Sequence, residues 1–153
     1  MSNTYIEKEV AKVIAANSYP ESMALVAAWI IAHFKGVNLK IYDAKETSSL
    51  CDYNIVASAD NIVQAKSMVD EMISNFHKHK LNIISLEGMA EAEWILLDVG
   101  DVIIHIFQDV ARDVFDLDSL WADTDQLKIP EEFYFGSEES GSSTTRRSSN
   151  NYF

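Results

Sequence analysis

Carboxylates are the side chains of this chain best placed to do chemistry. Asp98 and Asp101 flank Gly100, and Asp116 and Asp118 stand two apart around Leu117. Pairs of this kind bind magnesium in nucleotidyl transferases, but those enzymes also need a Gly-Ser at a helix N-terminus, upstream of the acids, to hold the triphosphate. Here the Gly-Ser pairs are Gly136-Ser137 and Gly141-Ser142, after the acids and inside a serine-rich stretch. No Walker A loop, G-x-G-x-x-G or G-x-S-x-G occurs. Asp116 and Asp118 are therefore expected to solvate one face of a helix.

Four histidines raise the question of a metal. His77 and His79 are two apart, a spacing that cannot share a helix face, while His33 and His105 fall in different elements. No cysteine pair accompanies them, since Cys51 is the single cysteine. That lone thiol excludes an internal disulfide, suits a reducing compartment, and reads as buried rather than reactive. His105, between Ile104 and Ile106, reads as a hydrogen-bonded sheet residue. No catalytic residue, metal or cofactor is expected. The leading reading is a binding protein, with a magnesium-dependent nucleotidyltransferase-like enzyme as the alternative.

The elements that carry these residues follow from periodicity. Thr4-Tyr5-Ile6-Glu7 fits a capping box, with Ile6, Val10, Val13 and Ile14 at helical spacing. Ser18-Tyr19-Pro20-Glu21 offers a second start, for a helix apolar nearly all round that should stop at Gly36. Val37–Tyr42 and Tyr53–Ala57 alternate as strands. Asp60 is expected to cap a long helix with Ile62, Ala65, Val69, Met72, Ile73 and Phe76 inward. Leu81–Leu86 reads as a third strand. Glu93–Val99 and Val102–Phe107 read as a hairpin about Val99-Gly100-Asp101. A final helix starts near Asp109 and ends on Trp121. The sum is an α/β domain with a five-stranded mixed sheet and flanking helices.

At 153 residues the chain is one domain. Three parts are expected: an N-terminal helical extension (1–20), a core domain (21–125), and a serine-rich, disordered tail (126–153) whose composition collapses from Gly136. The apolar run from Met23 to Phe34 falls short of the roughly 20 residues that cross a membrane. The acidic N-terminus fits neither a signal nor a transit peptide, so a cytoplasmic protein is expected.

The net charge of −12 is unevenly spread. Residues 87–125 hold eleven acids against one base, Arg112, whereas residues 1–86 nearly balance. Sequence-specific nucleic-acid binding needs a positive footprint and is disfavoured, while a cationic protein would be steered to residues 87–125. Trp94 opens the hairpin between Glu93 and an apolar strand. With both hairpin faces largely apolar, either helices cover both or part of one is left for a partner, with Trp94 as anchor.

The run Glu93-Trp94-Ile95-Leu96-Leu97-Asp98-Val99-Gly100-Asp101-Val102-Ile103-Ile104-His105-Ile106-Phe107 resembles the ribosomal silencing factor (RsfS/Iojap) family. The resemblance continues in Arg112, Phe115-Asp116-Leu117 and Leu120-Trp121, with support from Asp43, Ser48-Ser49-Leu50, Asp52-Tyr53 and Glu87-Gly88. One departure is Ser58-Ala59-Asp60-Asn61, where the family carries a Gly-Thr-Ser-like turn. The resemblance implies a nucleotidyltransferase-like fold without the active site. It also implies binding to the large ribosomal subunit through its protein numbered fourteen, which blocks joining of the small subunit and represses translation. Carried over by position, Trp94 is a contact anchor, Asp98, Val99 and Asp101 shape the hairpin edge that meets the partner, and Glu87 lies nearby. A structural homo-oligomer pairing through the hairpin is a further alternative, and a homodimer is compatible with ribosome binding.

Overall fold

A helix with no polar face has to be buried on every side, and that requirement organises the chain. The computed structural model describes residues 4–135. The all-apolar segment forms α2 (Glu21–His33), in which every residue from Ser22 to Ala32 is buried. It lies between α1 (Thr4–Ala16), which contributes Ile6, Val10 and Val13, and a sheet face bearing Ile41, Ile55, Ile95, Leu97 and Ile104. α3 (Ile62–Lys78) packs beside α2 on the same face through Ala65, Met68, Val69, Met72 and Phe76. Each such side chain contributes about 1.5–3 kcal/mol when fully buried, so this face carries most of the stabilisation.

The strands are β1 (Val37–Asp43), β2 (Tyr53–Ala59), β3 (Ser85–Glu87), β4 (Trp94–Asp98) and β5 (Val102–Gln108), in spatial order β1-β2-β5-β4-β3. β2 and β5 pair in parallel, and the other neighbours are antiparallel. The sheet is thus five-stranded and mixed. The hairpin β4–β5 forms as expected, closed by the Val99 N–H on the Val102 carbonyl at 3.0 Å. The third strand is shorter and later than expected, an edge strand antiparallel to β4.

The helix starts differ from the capping patterns. Thr4 lies inside α1, and Glu7 pairs with Lys78 of α3. Pro20 occupies the N-cap of α2, with no side chain capping. Asn61, not Asp60, caps α3, its side chain accepting the Gln64 N–H at 2.8 Å, while Gln64 Oε1 accepts from the Asp60 N–H. Ile62, at the first turn of α3, is exposed, and Met68 joins the inward face. The final helix breaks at Asp116, which adopts φ 49°, giving α4 (Asp109–Phe115) and α5 (Leu117–Leu120).

Residues 126–135, grouped with the tail on composition, are folded. Leu127 N–H donates to the Ile41 carbonyl at 2.9 Å, Gln126 bridges to Tyr42, and α6 (Glu132–Phe135) packs on α2. The segment covers the outer edge of β1 while burying part of Leu127, Ile129 and Phe133. The remaining stretch from Gly136, with both Gly-Ser pairs, lies outside the described residues.

Gly88 sets where β4 begins. Its φ of +85° is a left-handed conformation, and a Cβ there would stand 2.0 Å from the Trp94 carbonyl oxygen. The loop folds back through the Ala92 N–H on the Gly88 carbonyl at 2.8 Å. Gly100 also has positive φ, but its nearest neighbour would be the Ile84 Cδ1 at 3.4 Å. Gly88→Ala is expected to cost about 2–4 kcal/mol, because backbone must move. Gly100→Ala is expected to cost only about 1 kcal/mol of left-handed strain. Urea denaturation of the two variants checks the order; equal losses would contradict it.

Candidate functional site

The second face of the sheet is only partly clothed. Alternate residues of each strand lie on it, and the pairing aligns them in rows. Ser58, Phe107 and Trp94 make one row, and Val56, His105, Leu96 and Glu87 the next. Asn54, Ile103, Asp98 and Ser85 make the third. α4, α5 and Trp121 cover the β1–β2–β5 side, where Tyr42, Val56, Phe107 and Ala111 are buried. Toward β4 and β3 the cover ends. Trp94, Leu96, Asp98 and Ile103 are half-buried, and Glu87 is exposed.

Trp94 is held rather than sealed. Its ring lies 5.0 Å from Phe107 and 4.7 Å from Phe115 between centroids. Its indole N–H donates to His105 Nδ1 at 3.2 Å. An indole nitrogen can only donate, so Nδ1 is the bare nitrogen of His105 and Nε2 carries the proton, 3.3 Å from Asn54 Oδ1. Burial holds the His105 pKa down to about 4, which keeps the ring neutral and able to accept from Trp94. His105 is thus a positioning residue for the indole, as a sheet histidine should be.

A second network fastens the cover. Arg112, 5% exposed, gives Nε to Asp118 Oδ2 at 2.7 Å, Nη2 to Asp118 Oδ1 at 3.2 Å and Nη1 to Ser58 Oγ at 2.9 Å. Tyr42 Oη donates to the same carboxylate at 2.5 Å. Burial alone would raise the Asp118 pKa, but hydrogen bonds from Arg112 and Tyr42 and the guanidinium charge bring it below the usual carboxylate range. Asp118 is therefore an ion-pair partner and not a solvated residue. Asp116 likewise caps α5, accepting from the Ser119 N–H.

The expected site residues divide into separate places. Trp94 begins β4, and the turn residues lie beyond its other end, roughly 13 Å away at 3.3 Å per residue. Asp98 accepts the Gly100 N–H at 2.8 Å and so closes the turn. Asp101 accepts the Tyr19 hydroxyl at 2.7 Å, and its backbone carbonyl receives the N–H groups of Asp52 and Tyr53. Val99, 7% exposed, belongs to the main core on the opposite face, so its side chain cannot shape a partner-facing edge. Glu87 shares the open face, one row from Trp94, on edge strand β3. Cys51 is buried, and burial pushes its thiol up to about 11, which leaves it protonated and inert.

Beside Trp94, Asp60, Glu91, Glu93, Gln108, Asp109, Val110 and Ala111 line a cleft of about 510 Å³. Gln108 anchors its floor, with its backbone N–H on the Glu93 carbonyl and its side chain on the Ala92 carbonyl. This cleft and the Arg112–Asp118 pair were not foreseen. The cleft joins residues far apart in sequence, and Arg112 meets Asp118, six residues on, across the left-handed break at Asp116; the local sign was the density of acids around a single arginine.

The family described as ribosomal silencing factor during starvation matches residues 16–152. A ribosomal silencing factor RsfS of Haemophilus influenzae is 33% identical over 88 residues, covering 58% of this chain and 86% of that protein. One of Bacillus subtilis is 25% identical, covering 67% and 87%. The mouse protein named mitochondrial assembly of ribosomal large subunit protein 1 is 26% identical, covering 61% of this chain and 46% of its own length. A crystal structure of a Chromobacterium violaceum protein superposes with TM-score 0.66 and 27% identity, covering 69% of this chain and 88% of that one.

Protonation of His105 would place a donor against the indole N–H. The folded pKa of about 4 lies below the unfolded value of 6.5. The contribution is therefore complete above pH 6.5, declines as pH falls, and is gone below about 4. Across that window it amounts to about 3 kcal/mol. His105→Gln is expected to remove this slope, measured as the wild-type-minus-variant difference in urea stability between pH 8 and pH 4. A pH-independent difference would overturn the assignment.

Proposed function

Because the chain belongs to the ribosomal silencing factor family, we propose that it binds the large ribosomal subunit with the half-clothed sheet face around Trp94. The partner is the basic subunit protein numbered fourteen, and occupying it keeps the small subunit from joining, which represses translation. The observation that carries the reading is the state of Trp94: a large aromatic side chain, only partly buried, pinned by Phe107, Phe115 and His105. Anchors of this type dominate protein interfaces, because an already ordered ring loses little entropy on binding. The eleven acids of residues 87–125 support a cationic partner, and the mouse relative is named for assembly of the large subunit.

The site acts by binding, not by catalysis. Asp98 and Asp116 engage backbone N–H groups, Asp101 a tyrosine hydroxyl and Asp118 an arginine, so each of the four has a hydrogen-bonding role within the fold. On this reading the nucleotidyltransferase-like scaffold has been turned to recognition. Residues 21–125 supply the silencing domain, extended by the docked segment to residue 135.

Sedimentation of purified subunits with the protein tests the reading. It should travel with the large subunit and lower the yield of joined ribosomes; recovery only at the top of the gradient sinks the proposal. Trp94→Ala should weaken the association by about 30-fold, equivalent to about 2 kcal/mol, with an unchanged circular dichroism spectrum. Wild-type affinity in that variant would dismiss Trp94 as the anchor.

A further inference from the structure

Four exposed large apolar side chains fall within eleven residues, Val110 (76%), Val114 (70%), Phe115 (46%) and Leu120 (71%). α4 sits on the sheet through Ala111 and Arg112, which leaves Val110 and Val114, one turn apart, facing away from it. Phe115 follows directly and touches Trp94 at 4.7 Å between ring centroids. Val110 and Val114 thus form an exposed apolar strip on α4, and Phe115, the next residue along the chain, links its end to Trp94 on the sheet face.

At one end of the strip Val110 is also a wall of the 510 Å³ cleft, whose remaining lining includes Asp60, Glu91, Glu93 and Asp109 and no cationic side chain. Asp113 is exposed on α4 as well. The single base of the region, Arg112, is buried and held by Asp118. Apolar ground is thus rimmed by acids with no local counter-charge. A second copy of this chain, at net −12, would meet like charge, and so would a phosphate backbone.

We infer that the α4 strip is the second half of the docking surface. It receives a basic protein segment whose apolar side chains cover Val110 and Val114 while a lysine or arginine enters the acid-lined cleft. This inference rests on the large-subunit reading above and extends it. It also relocates the electrostatic attraction: Asp98 and Asp101 are occupied within the fold, and the cleft acids are the ones open to a partner.

The test uses the full chain and large ribosomal subunits across a salt series. The double variant Val110→Ser/Val114→Ser should bind about ten-fold more weakly, whereas Val63→Ser, at an equally exposed site on α3 (74%), should bind as wild type. Glu93→Gln/Asp109→Asn should flatten the salt dependence. If wild type binds and Trp94→Ala does not, yet both double variants match wild type in affinity and salt slope, the inference fails and the function stands. If wild type itself does not bind, the functional reading fails first. Equal binding of wild type to ribosomal RNA stripped of protein would also overturn the inference, since phosphate would then be the ligand.

Discussion

A five-stranded sheet has two faces to shelter, and this chain spends its three longest helices on one of them. α2 and α3 lie directly on that face, with α1 behind α2, because each presents aliphatic side chains that only the sheet can bury. What is left for the other face is the short stretch after β5. Its two helices span seven and four residues, too little to cover a sheet five strands wide. Everything notable about the second face follows from this shortage: the polar networks, the partly buried aromatic ring, and the uncovered apolar ground beside it.

Short helices need more than propensity to stay in place. Neither α4 nor α5 is long enough to be stable alone, and α4 buries chiefly Ala111. Arg112 supplies the missing hold by joining Ser58 of β2 to Asp118 of α5, to which Tyr42 of β1 adds a further hydrogen bond. Removing one partner of such a group leaves the other uncompensated, so the network is better regarded as a clamp with mutually dependent parts than as a sum of bonds. The left-handed turn at Asp116 belongs to the same device, since it swings α5 round so that Asp118 meets the guanidinium.

Much of this was legible in the sequence wherever the information is local. Alternation in β4 and β5 assigned Trp94, Leu96 and Asp98 to one face and Ile95 and Leu97 to the other, and the burial pattern agrees. The apolar completeness of α2 announced its central position. What could not be read were relations set by pairing between distant segments. The parallel register of β2 with β5 brings Asn54 within reach of His105, and Ser58 beside Phe107, across some fifty residues of chain. Val99, given a place on the partner-facing edge only by the family resemblance, is buried with Ile95 and Leu97 on the core side of the sheet. Residues 126–135 were grouped with the tail whose composition collapses only from Gly136, yet a free strand edge at β1 gave them backbone partners.

Acidity in a segment with this much apolar surface has a cost, because like charges repel and carboxylates resist burial. The fold meets part of it by giving several carboxylates backbone N–H groups, a tyrosine hydroxyl or an arginine. Those acids have structural duties, and their loss would act on the fold before it acted on any partner. The acids around the cleft have no such role among the described hydrogen bonds, so their charge is available to a cationic partner. The docking proposed above would need no rearrangement of the ring at its edge, which His105 and Phe107 already fix. In that proposed docking, ring and charge act on different steps, the ring slowing departure and the acids speeding approach.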